Sequence, residues 1–371
     1  MKLLLIIYSL LTTTIFLIPG SEASAQVYAE RSLYRDTYSS TGIKTLDVIN
    51  KYGNIKVSNW DKDSICISTE MYLCSSTQKK LTKLKSIVKI NYKKEGSVIT
   101  AQTLFGDNKA AFIKEIQEFT RDITPGMDKK IEINYEVFLP ENIRLEIYNQ
   151  YGDVVLNDIN NELKVILSNG SFKTGDIKKD INLKLKFVNA MMTDVENGFI
   201  ELKYSNININ NAKEINLESK SSEIYADNID ILKINSSRDK IDIGNLNYIY
   251  GTSGYSTIRV SKLNREMDCY FSYGQISISN MDKEISLIDI DSERTDIKLF
   301  IPKQIIYSYD ILYHENAEIL LPSKEKSEVS KGMDEMKVIK GKTGYNPSLR
   351  LQINALKKCV IQIHETGEQI N

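Results

Sequence analysis

Ile224-Tyr-Ala-Asp-Asn-Ile229, Ile241-Asp-Ile-Gly-Asn-Leu246 and Ile258-Arg-Val-Ser-Lys-Leu263 are three versions of one phrase, spaced 17 residues apart. Apolar residues two apart face one side of a strand, so Ile224/Ala226, Ile241/Ile243 and Ile258/Val260 point inward, each ahead of an apolar anchor. The anchors run Ile159, Ile177, Val195, Ala212, Ile229, Leu246, Leu263, Met281 in steps of 17 or 18. A second alternating stretch follows each anchor, as in Leu163-Val165-Leu167 and Ile215-Leu217. A unit this short cannot bury its own apolar face, so successive units must stack in parallel. The expected fold is all-β: a parallel β-solenoid, or single-stranded β-helix, with 17-18-residue coils over 141-302. Parallel crossovers favour a right-handed coil.

Working outward, residues 52–60 repeat the template with Ile55, Val57 and Trp60, 99 residues before Ile159. A small α/β insertion near the N-terminus therefore interrupts the stack within a region spanning 26-140. Ser76 is the expected cap of a short helix carrying Leu81, Leu84 and Ile87, with strands at Lys89–Tyr92 and Val98–Thr103. A second helix, Ala110–Arg121, has Phe112, Ile113, Ile116 and Phe119 on one face and is expected to cover the first open end; the helical part spans about 76-121. Residues 303-371 read as a β C-terminal cap. Strands at Ile305–Tyr313 and Glu318–Leu321 precede a charged loop, 323-335, and strands at Leu349–Ile353 and Cys359–Ile363 close the edge.

Met1-Lys2, the apolar run Leu3–Ile18 and Ala23-Ser24-Ala25 read as a cleaved secretory signal over 1-25. The mature chain then starts at Gln26, and the protein is exported, to the periplasm or the cell surface of a bacterium. No later segment is apolar for the roughly 18 residues a membrane helix needs. With 48 basic and 49 acidic residues the chain lacks the charge that nucleic-acid binding requires. The cysteines Cys66, Cys74, Cys269 and Cys359 allow three pairings, of which Cys66 with Cys74 is the first to test.

Leu139-Pro140 followed by Tyr151-Gly152-Asp153-Val154, with echoes at Ile301-Pro302 and Tyr52-Gly53-Asn54-Ile55, resembles the bacterial "putative adhesin" domain family of unknown function. The resemblance covers most of residues 45–302. It implies an envelope or surface-attachment role, with a cell-surface glycan or envelope protein as partner, and it brings no catalytic residues.

Two columns carry the site expectations. One position before each anchor stand Asp158, Asp176, Asp194, Asn211, Asn228, Asn245, Lys262 and Asn280, with Asn59 in the outlying coil. Such residues ordinarily bond local backbone at a corner. Three stacked carboxylates, Asp158, Asp176 and Asp194, also form a candidate cation ladder, with Ca2+ the natural ion. Eight positions before the anchors stand Tyr52, Tyr151, Asn169, Phe187, Tyr204, Ser221, Arg238, Tyr255 and Tyr273. Stacked rings stabilise solenoids; alternatively Phe187, Tyr204, Tyr255 and Tyr273 offer faces to sugar rings.

The seven lysines from Lys79 to Lys94 read as a solvated face, or as a contact for an anionic polymer. His314 and His364 sit in no metal-ligand or nucleophile motif. Asp289 and Asp291, two apart on a strand, are the one carboxylate pair with glycosidase character. The expectation is a non-catalytic exported binding protein. A structural or sensory periplasmic module without a small ligand is the alternative, and a polysaccharide-active β-helix enzyme is a third reading.

Overall fold

A computed structural model describes residues 27–106, 131–322, 327–332 and 335–367. The proposed signal segment and the Ala110–Arg121 helix lie outside the described residues. The described chain is nearly all β, with one helix, in a long and mostly parallel sheet.

The inward residues of the repeated phrase make a buried column in strict parallel register: Ile207, Ile224, Ile241 and Ile258 sit beside one another and are 0–3 % exposed. Paired residues are 18 positions apart at Leu163/Ile181 and Phe172/Val154, and 17 apart from Asn189/Asn206 to Lys240/Thr257. A one-residue irregularity between Leu246 and Tyr248 restores 18. Beyond Met281 the offset grows to 21, as at Gln275/Asp296. There a turn closed by the Ile285 N–H on the Asp282 carbonyl (3.1 Å) replaces the tight corner and buries Ile285.

The outlying phrase joins the stack as its pattern predicts. Strand Ile55–Asn59 pairs in parallel with Val154–Leu156, and Thr45–Lys51 with Arg144–Gln150. Trp60 departs from the template: instead of filling the anchor slot it is half-buried, stacks on Phe138 at 5.4 Å and donates to the Ser64 carbonyl. The excursion between these passes wraps their outer side. Val98–Phe105 pairs with Thr45–Lys51, and Ile131–Leu139 with Ile55–Asn59. Antiparallel strands Ser64–Ser75, Tyr28–Ser39 and Val88–Glu95 complete that end. Its helix is Gln78–Ile87, capped by Thr77 rather than Ser76: Thr77 is the last extended residue, and its hydroxyl accepts the Lys80 N–H. Leu81 and Leu84 are buried beneath it, as expected.

The other end reverses the expected order. Leu349–Ala355 and Val360–Thr366 do not form the outer edge; they pair directly with Leu287–Pro302. Tyr307–His314 and Glu318–Leu320, earlier in the chain, lie outside them. Part of the segment expected as a charged loop is a strand, Ser327–Lys331, antiparallel to Met336–Lys342. Its charges alternate with Val329 along an edge, where lysine and glutamate are ordinary.

None of the four cysteines forms a disulfide, and all are buried. Cys66 and Cys74 lie on the same strand, eight residues apart, which at about 3.3 Å per residue is several times the span of a disulfide. Burial pushes the Cys359 thiol up to about 11 and the Cys269 thiol further still, so both stay protonated at neutral pH.

Candidate functional site

Each pass turns from its first strand to its second in a single residue, and that residue takes the left-handed backbone conformation. Tyr52, Tyr151, Asn169, Phe187, Tyr204, Ser221, Arg238, Tyr255 and Tyr273 all have φ between 52° and 66°. Arg294, at 50°, adds a tenth rung that the sequence column missed because the offset there is 21. This conformation costs a bulky L-residue about 1–2 kcal/mol, so tyrosines at such corners need compensation. They find it in one another. Tyr52 stacks on Tyr151 (5.4 Å, 5°), Phe187 on Tyr204 (5.2 Å, 12°) and Tyr255 on Tyr273 (4.8 Å, 4°). Cations extend the ladder: Lys51 lies over Tyr52, Lys186 over Phe187, Arg238 over Tyr255 and Arg294 over Tyr273.

Parallel rings at strand spacing turn their faces along the stack and their edges to solvent. Tyr255 and Tyr273 face each other, and Arg238 and Arg294 lie against the same two rings, so this pair has little face left for a sugar. Tyr255→Ala with Tyr273→Ala removes one stack and two cation–π contacts. It is expected to cost about 2 kcal/mol, read from melting curves of the double variant beside the wild type.

The residue after each corner is Gly, Ser or Thr, except at Val188 and Asp239. Ser205, Ser222 and Ser256 form a buried chain in which each hydroxyl accepts the N–H of the preceding rung and donates to a carbonyl of its own pass. Asp239 interrupts it. At 4 % exposure its carboxylate accepts from the Ser219 hydroxyl (2.6 Å), the Ser222 N–H (2.8 Å) and the Ser237 N–H (3.0 Å). Burial raises its pKa, and these three donors offset only part of the rise. A carboxyl raised in the folded state contributes stability that is full below its unfolded value, about 3.9, and is lost as pH rises through the folded value. Asp239→Ser restores the serine pattern and should therefore raise the melting temperature at pH 7, with the gain vanishing near pH 3. A lower melting temperature at pH 7 would show that the three donors outweigh burial.

The structure brings Asp158, Asp176 and Asp194 into one column and gives each a protein donor. Asp158 accepts from the Asp176 N–H (3.0 Å), Asp176 from the Thr193 hydroxyl (2.6 Å) and Asp194 from the Asn211 amide (2.6 Å). Asn228 and Asn245 continue the chain of amides at 2.7 and 2.8 Å. Among the described residues no group of three or more His, Cys, Asp or Glu converges as a metal site.

Beside the corner ladder, the outward residues of the second strand line an open groove of about 570 Å³. Asn208, Tyr225, Asp242 and Arg259 form one wall, and Asp227 and Ser261 lie at the next corner. One polar chain orders it. The Tyr225 hydroxyl donates to Glu223 (2.8 Å) and accepts from Lys240 (2.7 Å); Lys240 reaches Asp242 (3.4 Å), which also holds Arg259 (3.2 Å). The sequence alone does not single these residues out, because their order comes from contacts between passes.

The remaining candidates are dispersed. Asp289 lies next to Asp268 and Gln352 in register, its carboxyl raised by burial and by Asp268 and Asp291. His314 pairs with Glu335 at 3.3 Å, and His364 stacks on Phe300 at 4.9 Å. Within the lysine run, Lys85 pairs with Glu30 and Lys93 with Glu95.

No family model and no characterised protein sequence matches this chain. Solved structures do. A "putative cell adhesion protein" of Clostridium sporogenes is 10% identical over 91% of this chain and 100% of that one, with a TM-score of 0.20. A "putative adhesin" of Parabacteroides distasonis is 12% identical over 72% and 97%, at 0.38. A "putative lipid binding protein" of the same organism is 13% identical over 72% and 96%, at 0.34. Proteins bearing the adhesin name are thus among the structures this chain is similar to.

Proposed function

We propose that the chain is an exported, non-catalytic protein of adhesin type, a rigid parallel β-solenoid of 17-18-residue coils that binds a glycan along its side. The observation that carries this reading is the groove at Tyr225, Asp242 and Arg259. Its aromatic ring, carboxylate and guanidinium stand on successive strands and are pre-ordered by hydrogen bonds and ion pairs that run through Lys240, which suits an extended chain of hydroxyls at low ordering cost. The charged groups are paired with one another and so act as hydrogen-bonding partners rather than as an acid and base. Calcium has no part in this reading, because the aspartate ladder is held by protein donors.

A glycan array probed with purified 26–371, in calcium and in chelator, tests it. Binding is expected in both conditions, and Tyr225→Ala with Arg259→Ala should weaken the best hit about tenfold or more. No hit in either condition would retire the glycan reading in favour of a structural or sensory module without a small ligand. That second reading draws on the corner rings, which are largely occupied with one another.

A further inference from the structure

The corner ladder has a rung without a ring, and it lies beside the groove. Backbone hydrogen bonds keep successive corners in step: Tyr204 N–H to the Lys220 carbonyl, Ser221 to Ser237, Arg238 to Gly254 and Tyr255 to Ser272, all at 2.7–3.0 Å. Ser221 therefore occupies the place that Phe187, Tyr204, Tyr255 and Tyr273 fill with aromatic rings, but its side chain stops at the hydroxyl. The neighbouring rungs are Tyr204, whose ring stacks on Phe187, and Arg238, which lies over Tyr255. Tyr204 is 50 % exposed. The separation between these walls is about two strand spacings, close to 9.6 Å, and the ladder itself shows that one rung accommodates one six-membered ring.

The geometry points to this gap as a subsite for a single pyranose ring, held between the Tyr204 face and the Arg238 guanidinium. A sugar fits its chemistry better than an aromatic side chain of a protein partner. One wall is a π-face that takes C–H groups; the other carries a fork of N–H donors that an aromatic ring leaves unmet. The second strand leads out of the gap through Glu223 and Lys240, both bonded to the Tyr225 hydroxyl. The hydrogen-bonded path of the groove thus begins two residues beyond Ser221 and Arg238, so that a glycan seated in the groove places a terminal or branching sugar in the gap. This inference rests on the glycan reading above and adds to it a specific position and ring type.

The test fills the gap. Ser221→Tyr completes the ladder and should hold or raise the melting temperature, while weakening the best array hit of the wild type about tenfold. Tyr204→Asn removes the π wall but keeps a residue that accepts the left-handed conformation, and should weaken the same hit by a similar factor. If the wild type binds the array and both variants bind as well as it does, the subsite is wrong and the groove stands. If the wild type binds nothing, both are overturned. A Ser221→Tyr protein that melts well below wild type would overturn the open-rung geometry itself.

Discussion

Gly152→Ala is expected to cost about 3 kcal/mol, the upper part of the range for forcing atoms into a packed site. A Cβ at Gly152 would stand 1.9 Å from the Gly53 carbonyl oxygen, and at Gly170 it would meet the Gly152 oxygen at 2.1 Å. These are backbone atoms of adjoining rungs and have no side-chain freedom with which to yield. The passes at 45–59 and 144–156 must therefore separate locally or deform their pairing. Because stacked repeats contact only their neighbours, the damage should be local. Hydrogen exchange should lose protection in Thr45–Lys51, Ile55–Asn59 and Val154–Leu156, while 206–260 keeps it. Uniform loss of protection, or none, would refute the steric argument.

The second large effect is expected at Phe172. Its column is otherwise built from smaller side chains: it pairs with Val154 on one side and Ala190 on the other, and it is fully buried. The phenyl ring stands one rung from Ala190, the smallest side chain of the column. Phe172→Ala would put two truncated residues in adjacent rungs and should cost about 3–5 kcal/mol. Phe172→Leu, keeping most of the volume, should cost well under half of that, as read from denaturant midpoints of the two variants. Equal costs would mean that the cavity collapses and the ring's volume is not what the site needs.

The repeat was legible because its signal is local and redundant: an apolar pair, an anchor and a corner return every 17 or 18 residues. Even the phrase at Ile55, separated by an excursion, kept its register. The corner column was legible as a list of residues, but its meaning was not. Whether Tyr255 offers its face to solvent or to Tyr273 depends on the direction in which rungs stack. The C-terminal order was hidden for a different reason. The strand Tyr307–His314 pairs with a segment that comes later in the chain, and pattern carries no information about such partners. Ser327–Lys331 looked like a loop because an edge strand has no second neighbour to demand apolar residues. Arg294 escaped because three extra residues at the Asp282 turn broke the count.

The two excursions also govern how the molecule comes apart. In a plain stack the last segment of the chain is the outermost layer, and pulling on it strips layers one at a time. Here the pass at Leu349–Ala355 and Val360–Thr366 is gripped between Leu287–Pro302 and the layer made by Tyr307–His314 and Glu318–Leu320. The pass at Thr45–Lys51 and Ile55–Asn59 is gripped in the same way at the other end. Traction on the final strand has to break bonds on two sides at once, so unravelling from that strand starts with its most costly step, and tension is borne by the stack before any layer is shed.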